Sequence, residues 1–140
     1  MDVIYLALQG NMGLGKAIDY FTSHQIPVSL PLNDTQPYDL IIDFNGKLQR
    51  VSVKTSRNKT ENNTYSVQLR NTGGASGKCK TRLFNKTSCD YIFVYTGDER
   101  LFLIPTENLN VVNSITVGKK YTEYEVHIKK LNEYIDEMEG

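Results

Sequence analysis

Three side chains in "YDLIIDFNGKLQRVSVKTS" are of types that could work together on a phosphate: Asp39, Ser52 and Lys54. A carboxylate holds Mg²⁺ through hard oxygens, and such an ion keeps several waters and completes its shell with phosphate. A lysine beside it can steady developing negative charge or help activate a water. The alternative for Asp39 and Lys54 is a cross-strand ion pair with no chemistry. A second stretch, "QGNMGLGKAI" (residues 9–18), matches the phosphate-cradling pattern G-x-x-x-x-G-K. There the next residue is Ala17, where a P-loop needs the Ser or Thr that ligates Mg²⁺, so nucleotide hydrolysis is set aside. The later "TGGASGK" misses that spacing and reads as a flexible loop.

A hairpin must position the first set. Asn45-Gly46 lies between two alternating runs, and a type I′ turn requires positive φ at both of its central residues. With these two as the loop, Phe44 pairs with Lys47, and Asp39 falls across from Ser52 with Lys54 as its diagonal neighbour. Directly opposed Cβ atoms lie ~4.5–5.5 Å apart and diagonal ones ~7–8 Å. Alternation places Asp39, Ile41, Asp43, Arg50, Ser52 and Lys54 on one face, and Leu40, Ile42, Phe44, Val51 and Val53 on the core face. Asp43 and Arg50 are expected to form a second, purely structural ion pair.

Around the hairpin, Leu14, Ala17, Ile18 and Phe21 give Gly13–Ser23 one apolar helical face, and the preceding run Val3–Leu8 is compatible with a strand. "PVSLP" reads as extended and "TYSVQLRN" as a third strand. "DYIFVYTGDERLFLIP" supplies two more strands, and "SITVG" and "EYEVHI" add short edge pieces. "IKKLNEYIDEMEG" is expected to close the chain as a helix with Leu131, Ile135 and Met138 inward. The fold class is α+β (or α/β): a central mixed β-sheet with an N-terminal and a C-terminal helix.

With 140 residues, 39% hydrophobic and 23% charged, the chain suits one folded domain spanning 1–140. No apolar run approaches the ~20 residues of a membrane span, and no export signal is visible, so a cytoplasmic protein is expected. Cys79 and Cys89 then read as free thiols. The formal net charge of zero hides a strong asymmetry. Between Phe44 and Cys89 ten basic residues face the single acid Glu61, a local charge near +9. Such a segment suits a polyanion. Arg57, Lys59, Arg70, Lys78, Lys80, Arg82 and Lys86 are the candidate phosphate contacts, with Arg70 and Asn71 as candidate base readers.

Together, the stretch from Gln9 to Thr55 and "CDYIFVYTGDERLFLIPTENL" resemble the PD-(D/E)xK nucleases encoded in group I introns, a homing-endonuclease family. The resemblance covers roughly residues 9–110. It implies a restriction-endonuclease-like core and Mg²⁺-dependent (or Mn²⁺-dependent) hydrolysis of double-stranded DNA. Asp39 is then the metal ligand, the Val53 carbonyl a further ligand, and Lys54 the transition-state stabiliser. Two positions depart from the pattern: Ser52 stands where the family has an acid or glutamine, and Leu14 where many members carry a helix glutamate. The alternative is therefore a DNA-binding or regulatory protein that does not cut. A double-strand cutter of this size should be a homodimer or larger, joined through the C-terminal helix or the "YIFVYT" strand.

Overall fold

The computed structural model describes residues 3–73, 80–82, 84–110 and 113–139. Helix α1 (Val3–Ser23) comes first. Strands β1 (Val28–Ser29), β2 (Leu40–Phe44), β3 (Lys47–Ser56), β4 (Tyr65–Gln68) and β5 (Asn71–Gly73) follow. Next come β6 (Lys80–Arg82), β7 (Tyr91–Thr96), β8 (Leu101–Pro105), β9 (Ser114–Val117) and β10 (Glu125–Val126), then helix α2 (Leu131–Glu139). Six strands form one mixed sheet in the order β1-β2-β3-β7-β8-β10, in which only β3 and β7 run parallel. β4 pairs with β9 and β5 with β6 in two separate two-stranded sheets.

Local turn chemistry sets the hairpin. φ is +55° at Asn45 and +85° at Gly46, as a two-residue turn of this type needs. The register follows as expected, from Phe44↔Lys47 to Leu40↔Val51. One sheet face carries Leu40, Ile42, Val51, Phe93 and Tyr95, buried against Ala17, Tyr20 and Phe21 of α1. The opposite face carries Ile92, Val94, Phe102 and Ile104, buried under Tyr65, Val67, Ile115 and Val117 of the β4–β9 pair. The sheet is thus sandwiched, and this double cover leaves its middle dry. Phe44, expected in the core, is 48% exposed because it sits beside the turn, beyond the reach of α1.

Helix α1 is longer than the sequence pattern indicates. Val3–Leu8 is helical, and Gly10, Gly13 and Gly15 lie inside the helix rather than in a loop before it. From Tyr5 to Ala17 no proline or β-branched residue opposes helix formation, and Leu6, Ala7, Leu8 and Gln9 favour it. A phosphate cradle at residues 10–16 is thereby excluded, and Lys16 instead lies over the Tyr95 ring, 5.6 Å from its centroid. Gly13 has a packing role. A Cβ there would overlap Thr55 Oγ1 and stand 3.4 Å from Val53 Cγ1, so its absence lets α1 approach β3 closely.

At the other end, α2 differs from expectation in orientation. It has no buried side chain, and Leu131 and Met138 are 72% and 70% exposed. Both faces of the sheet are already covered by α1 and by β4–β9, so neither is left open for α2. No helix of the described residues is long and apolar enough to cross a membrane.

Candidate active site

Strand β3 has ten residues and β2 only five, so the far half of β3 outruns its partner. Within a strand, each residue's N–H and C=O point to the same side and successive residues alternate. Arg50 C=O accepts from Asp90 N–H at 2.8 Å, on the β7 side. Val51, Val53 and Thr55 therefore present their backbone groups toward β2 and, past its end, toward an open edge. Side chains take over from strand pairing at that edge. Asp39 N–H donates to Val51 O at 2.9 Å, and Val53 N–H donates to Asp39 Oδ2 at 2.6 Å. One rung further, Gln9 Nε2 reaches over from α1 and donates to Thr55 O at 3.2 Å. The Val53 carbonyl points to the same edge, between these two side chains.

Lys54 and Ser52 lie on the β4–β9 side of the sheet, in register with Val94 and Ile92. Packing around the Asp39 carboxyl pushes its pKa above the ordinary carboxylate range, opposed by the Val53 N–H and by the Lys54 charge. Although Asp39 keeps contact with solvent, its neighbours displace enough water to disfavour the anion. Burial likewise lowers the Lys54 pKa, opposed by the charges of Asp39 and of Cys89. Each group's charge offsets part of the shift that burial imposes on the other. Ser52 is 4% exposed, so its hydroxyl is sealed beneath the β4–β9 layer. Cys89 is a buried free thiol whose pKa burial raises; Cys79 lies outside the described residues.

The expected Asp43–Arg50 pair does not form. Asp43 Oδ1 accepts Gly46 N–H at 2.9 Å inside the turn, while Arg50 Nε pairs with Asp90 Oδ2 at 3.4 Å and its Nη2 donates to Thr87 O. Two residues with better-placed partners satisfy each side, and the Asp90 partner is far away in sequence. Leu14 packs into the apolar cluster on the α1 face, as its place in the helix pattern requires. The α1 side chain that reaches the open edge of β3 is Gln9, which sequence reasoning missed. Its only signal was the spacing Gln9–Gly13 on one helical face, invisible while residues 3–8 read as a strand.

Of the candidate DNA contacts, Arg57, Lys59, Arg70 and Lys86 are exposed. Arg70 Nε donates to Asn113 Oδ1 at 3.2 Å, which orients its guanidinium. Lys86 joins Lys47 and Arg50 in lining a groove of about 470 Å³, with Asp90 and Glu107 on its wall. Asn71 pairs in register with Arg82, and Lys80 with Gly73, in the β5–β6 ribbon. Lys78 lies outside the described residues.

A divalent cation suits the oxygens present at the hairpin's end. Asp39 gives a carboxylate, and the Val53 carbonyl lies beside it on the open edge. Gln36 Oε1, three residues ahead of Asp39, is buried without a hydrogen-bond partner. Mg²⁺ is commonly held by one or two carboxylates, with water and phosphate completing its shell. Among the described residues no three His, Cys, Asp or Glu side chains gather into a metal cage, and Asp39 is the carboxylate bound to this edge.

A family model described as PD-(D/E)XK endonuclease matches residues 7–136. The chain belongs to the PD-(D/E)XK endonuclease family. Nucleases of this family work with divalent metal ions. Among solved structures, the chain is similar to a bacterial homing endonuclease, I-Ssp6803I, with a TM-score of 0.72 and 22% sequence identity. That alignment covers 85% of this chain and 87% of the other, so the fold is shared across nearly the whole length. No curated protein matches the chain significantly. The restriction-endonuclease-like fold that the family resemblance implied is therefore the fold of this PD-(D/E)XK family member.

Proposed function

We propose that this protein is a metal-dependent DNA endonuclease, a site-specific homing nuclease of the group I intron kind, using Mg²⁺ or Mn²⁺. The observation that carries the reading is the Asp39 carboxylate, fixed by Val53 N–H at the open edge of β3 with the Lys54 charge close by. Asp39 and the Val53 carbonyl would hold the ion, which when bound supplies an activated water and charge neutralisation on the phosphate. Lys54 stabilises the negative charge that grows on the phosphoryl oxygens as water attacks phosphorus and the P–O bond breaks. Ser52 lies too deep for direct ligation, and its part is to support the strand beside Lys54. The DNA backbone would be held by the groove lined by Lys47, Arg50 and Lys86 and by the exposed Arg57, Lys59 and Arg70. Asn71, Lys80 and Arg82 belong to the β5–β6 ribbon, and a two-stranded ribbon fits a major groove; Lys78, outside the described residues, is a further candidate contact.

The apolar packing of Leu14 and the burial of Ser52 favour a second reading, a DNA-binding protein on the nuclease fold that does not cut. Plasmid nicking separates the two. Purified protein with supercoiled plasmid or a candidate target site should nick in Mg²⁺ or Mn²⁺. Asp39→Ala and Lys54→Ala should each lower the rate by about 10²–10³-fold while the protein stays folded. Tight, salt-sensitive binding by wild type with no nicking in either metal would establish the second reading instead.

One such centre cuts one strand, so a double-strand cutter works as a homodimer or larger. The "YIFVYT" strand is not available as an interface, because it is β7, buried between β3 and β8. Exposed apolar side chains on α2 and on the first turns of α1 offer helical surfaces for such a contact.

A further inference from the structure

The open edge of β3 has two side-chain caps. Asp39 takes the Val53 N–H, and Gln9 binds the Thr55 carbonyl from α1. Two residues of strand separate those rungs by about 6.6–6.8 Å, and the Val53 carbonyl lies between them. Gln9 uses its nitrogen on Thr55 O, which leaves the amide oxygen as the unspent end of a half-buried side chain. The Gln9 amide is thus carried to the same strand edge that Asp39 binds. α1 is held there firmly, because Gly13, one turn on, lets the helix backbone press against Thr55 and Val53.

We propose that Gln9 is a cation-binding residue: its Oε1 is the ligand that α1 contributes to the site formed by Asp39 and the Val53 carbonyl. The proposal rests on the metal-dependent reading above. Position 14 lies on the apolar α1 face, whereas the helix side chain at the strand edge is at position 9. A neutral amide adds an oxygen without adding charge, so the site has a single anion and binds its ion weakly. Affinity in oxygen-ligated sites rises with the number of charged ligands. Exchanging this amide for a carboxylate should therefore convert a weak site into a strong one.

Mn²⁺ binding to the full-length chain, followed by the electron paramagnetic resonance signal of the free ion, tests this without any turnover. Gln9→Glu should tighten the dissociation constant about tenfold or more, Gln9→Leu should weaken it about threefold or more, and Asp39→Asn should abolish binding. Melting curves with and without Mn²⁺ give a second readout. Gln9→Glu loses its donor to Thr55 and so melts lower than wild type in chelator, but gains more from the ion than wild type does. If both Gln9 variants bind Mn²⁺ as wild type does while Asp39→Asn does not, the role of Gln9 is overturned and the metal site stands. If wild type and Asp39→Asn bind alike, or neither binds, the metal site at Asp39 falls and the role of Gln9 falls with it.

Discussion

Asp39 carries its charge where the surrounding atoms disfavour it, and that has a consequence for stability. Its folded pKa lies above the unfolded value, so its contribution to folding is fully present below the unfolded pKa and is lost as pH rises through the folded one. Asp39→Asn keeps an oxygen for Val53 N–H and removes the ionisation. It is expected to gain stability relative to wild type as pH rises from the ordinary carboxylate range through the raised folded pKa, as read by urea unfolding at each pH; a difference that does not change with pH would count against this. Carboxyl carbon-13 titration should also place Asp39 higher still in Lys54→Met, since the Lys54 charge lowers it. The meeting of Asp39 with strand β3 was legible in the sequence, because a two-residue turn fixes every pair in a hairpin. The partner of Arg50 was not. Asp90 lies 40 residues away on the approach to another strand, and no local pattern announces it.

At the level of elements, the contact that places α1 is narrow. Gly13→Ala puts a methyl where Thr55 Oγ1 already sits and should cost about 1–3 kcal/mol. Thr55→Ala removes that oxygen, although its Cβ remains 3.3 Å from the would-be methyl. In that background Gly13→Ala should cost less, with a coupling of about 0.5–3 kcal/mol in a double-mutant cycle from chemical denaturation. Simple additivity would show that the helix does not rest on this point. The sequence disclosed only half of α1, since the residues before Gly13 are apolar nearly throughout and show no helical period. For α2 the period was visible and its direction was not. Leu131, Ile135 and Met138 form a stripe, but whether a stripe faces inward depends on whether the core still has an open side.

For the whole molecule, both helices leave apolar side chains uncovered. Residues 3–15 contain no charged side chain, and Ile4, Tyr5, Leu8 and Met12 are each more than half exposed. Exposed apolar patches mark interaction sites. The stripe on α2 is flanked by Glu133, Asp136, Glu137 and Glu139, whose charges would face their own copies across a symmetric contact. The first turns of α1 are therefore the better surface for self-association. Sedimentation at micromolar concentration should find wild type as a dimer or larger, and Tyr5→Glu with Leu8→Glu should make it monomeric; a monomeric wild type overturns the assignment.

The one parallel pairing of the sheet also governs the order in which the molecule forms. Bringing β3 to β7 means closing a loop of some forty residues, and the entropy of that closure is lost before the long-range contacts repay it. The β2–β3 hairpin closes over two residues and carries Asp39 to Val53 by itself. The Asp39–Val53 contact therefore needs only short-range folding, whereas the layers on either face of the sheet need long-range contacts.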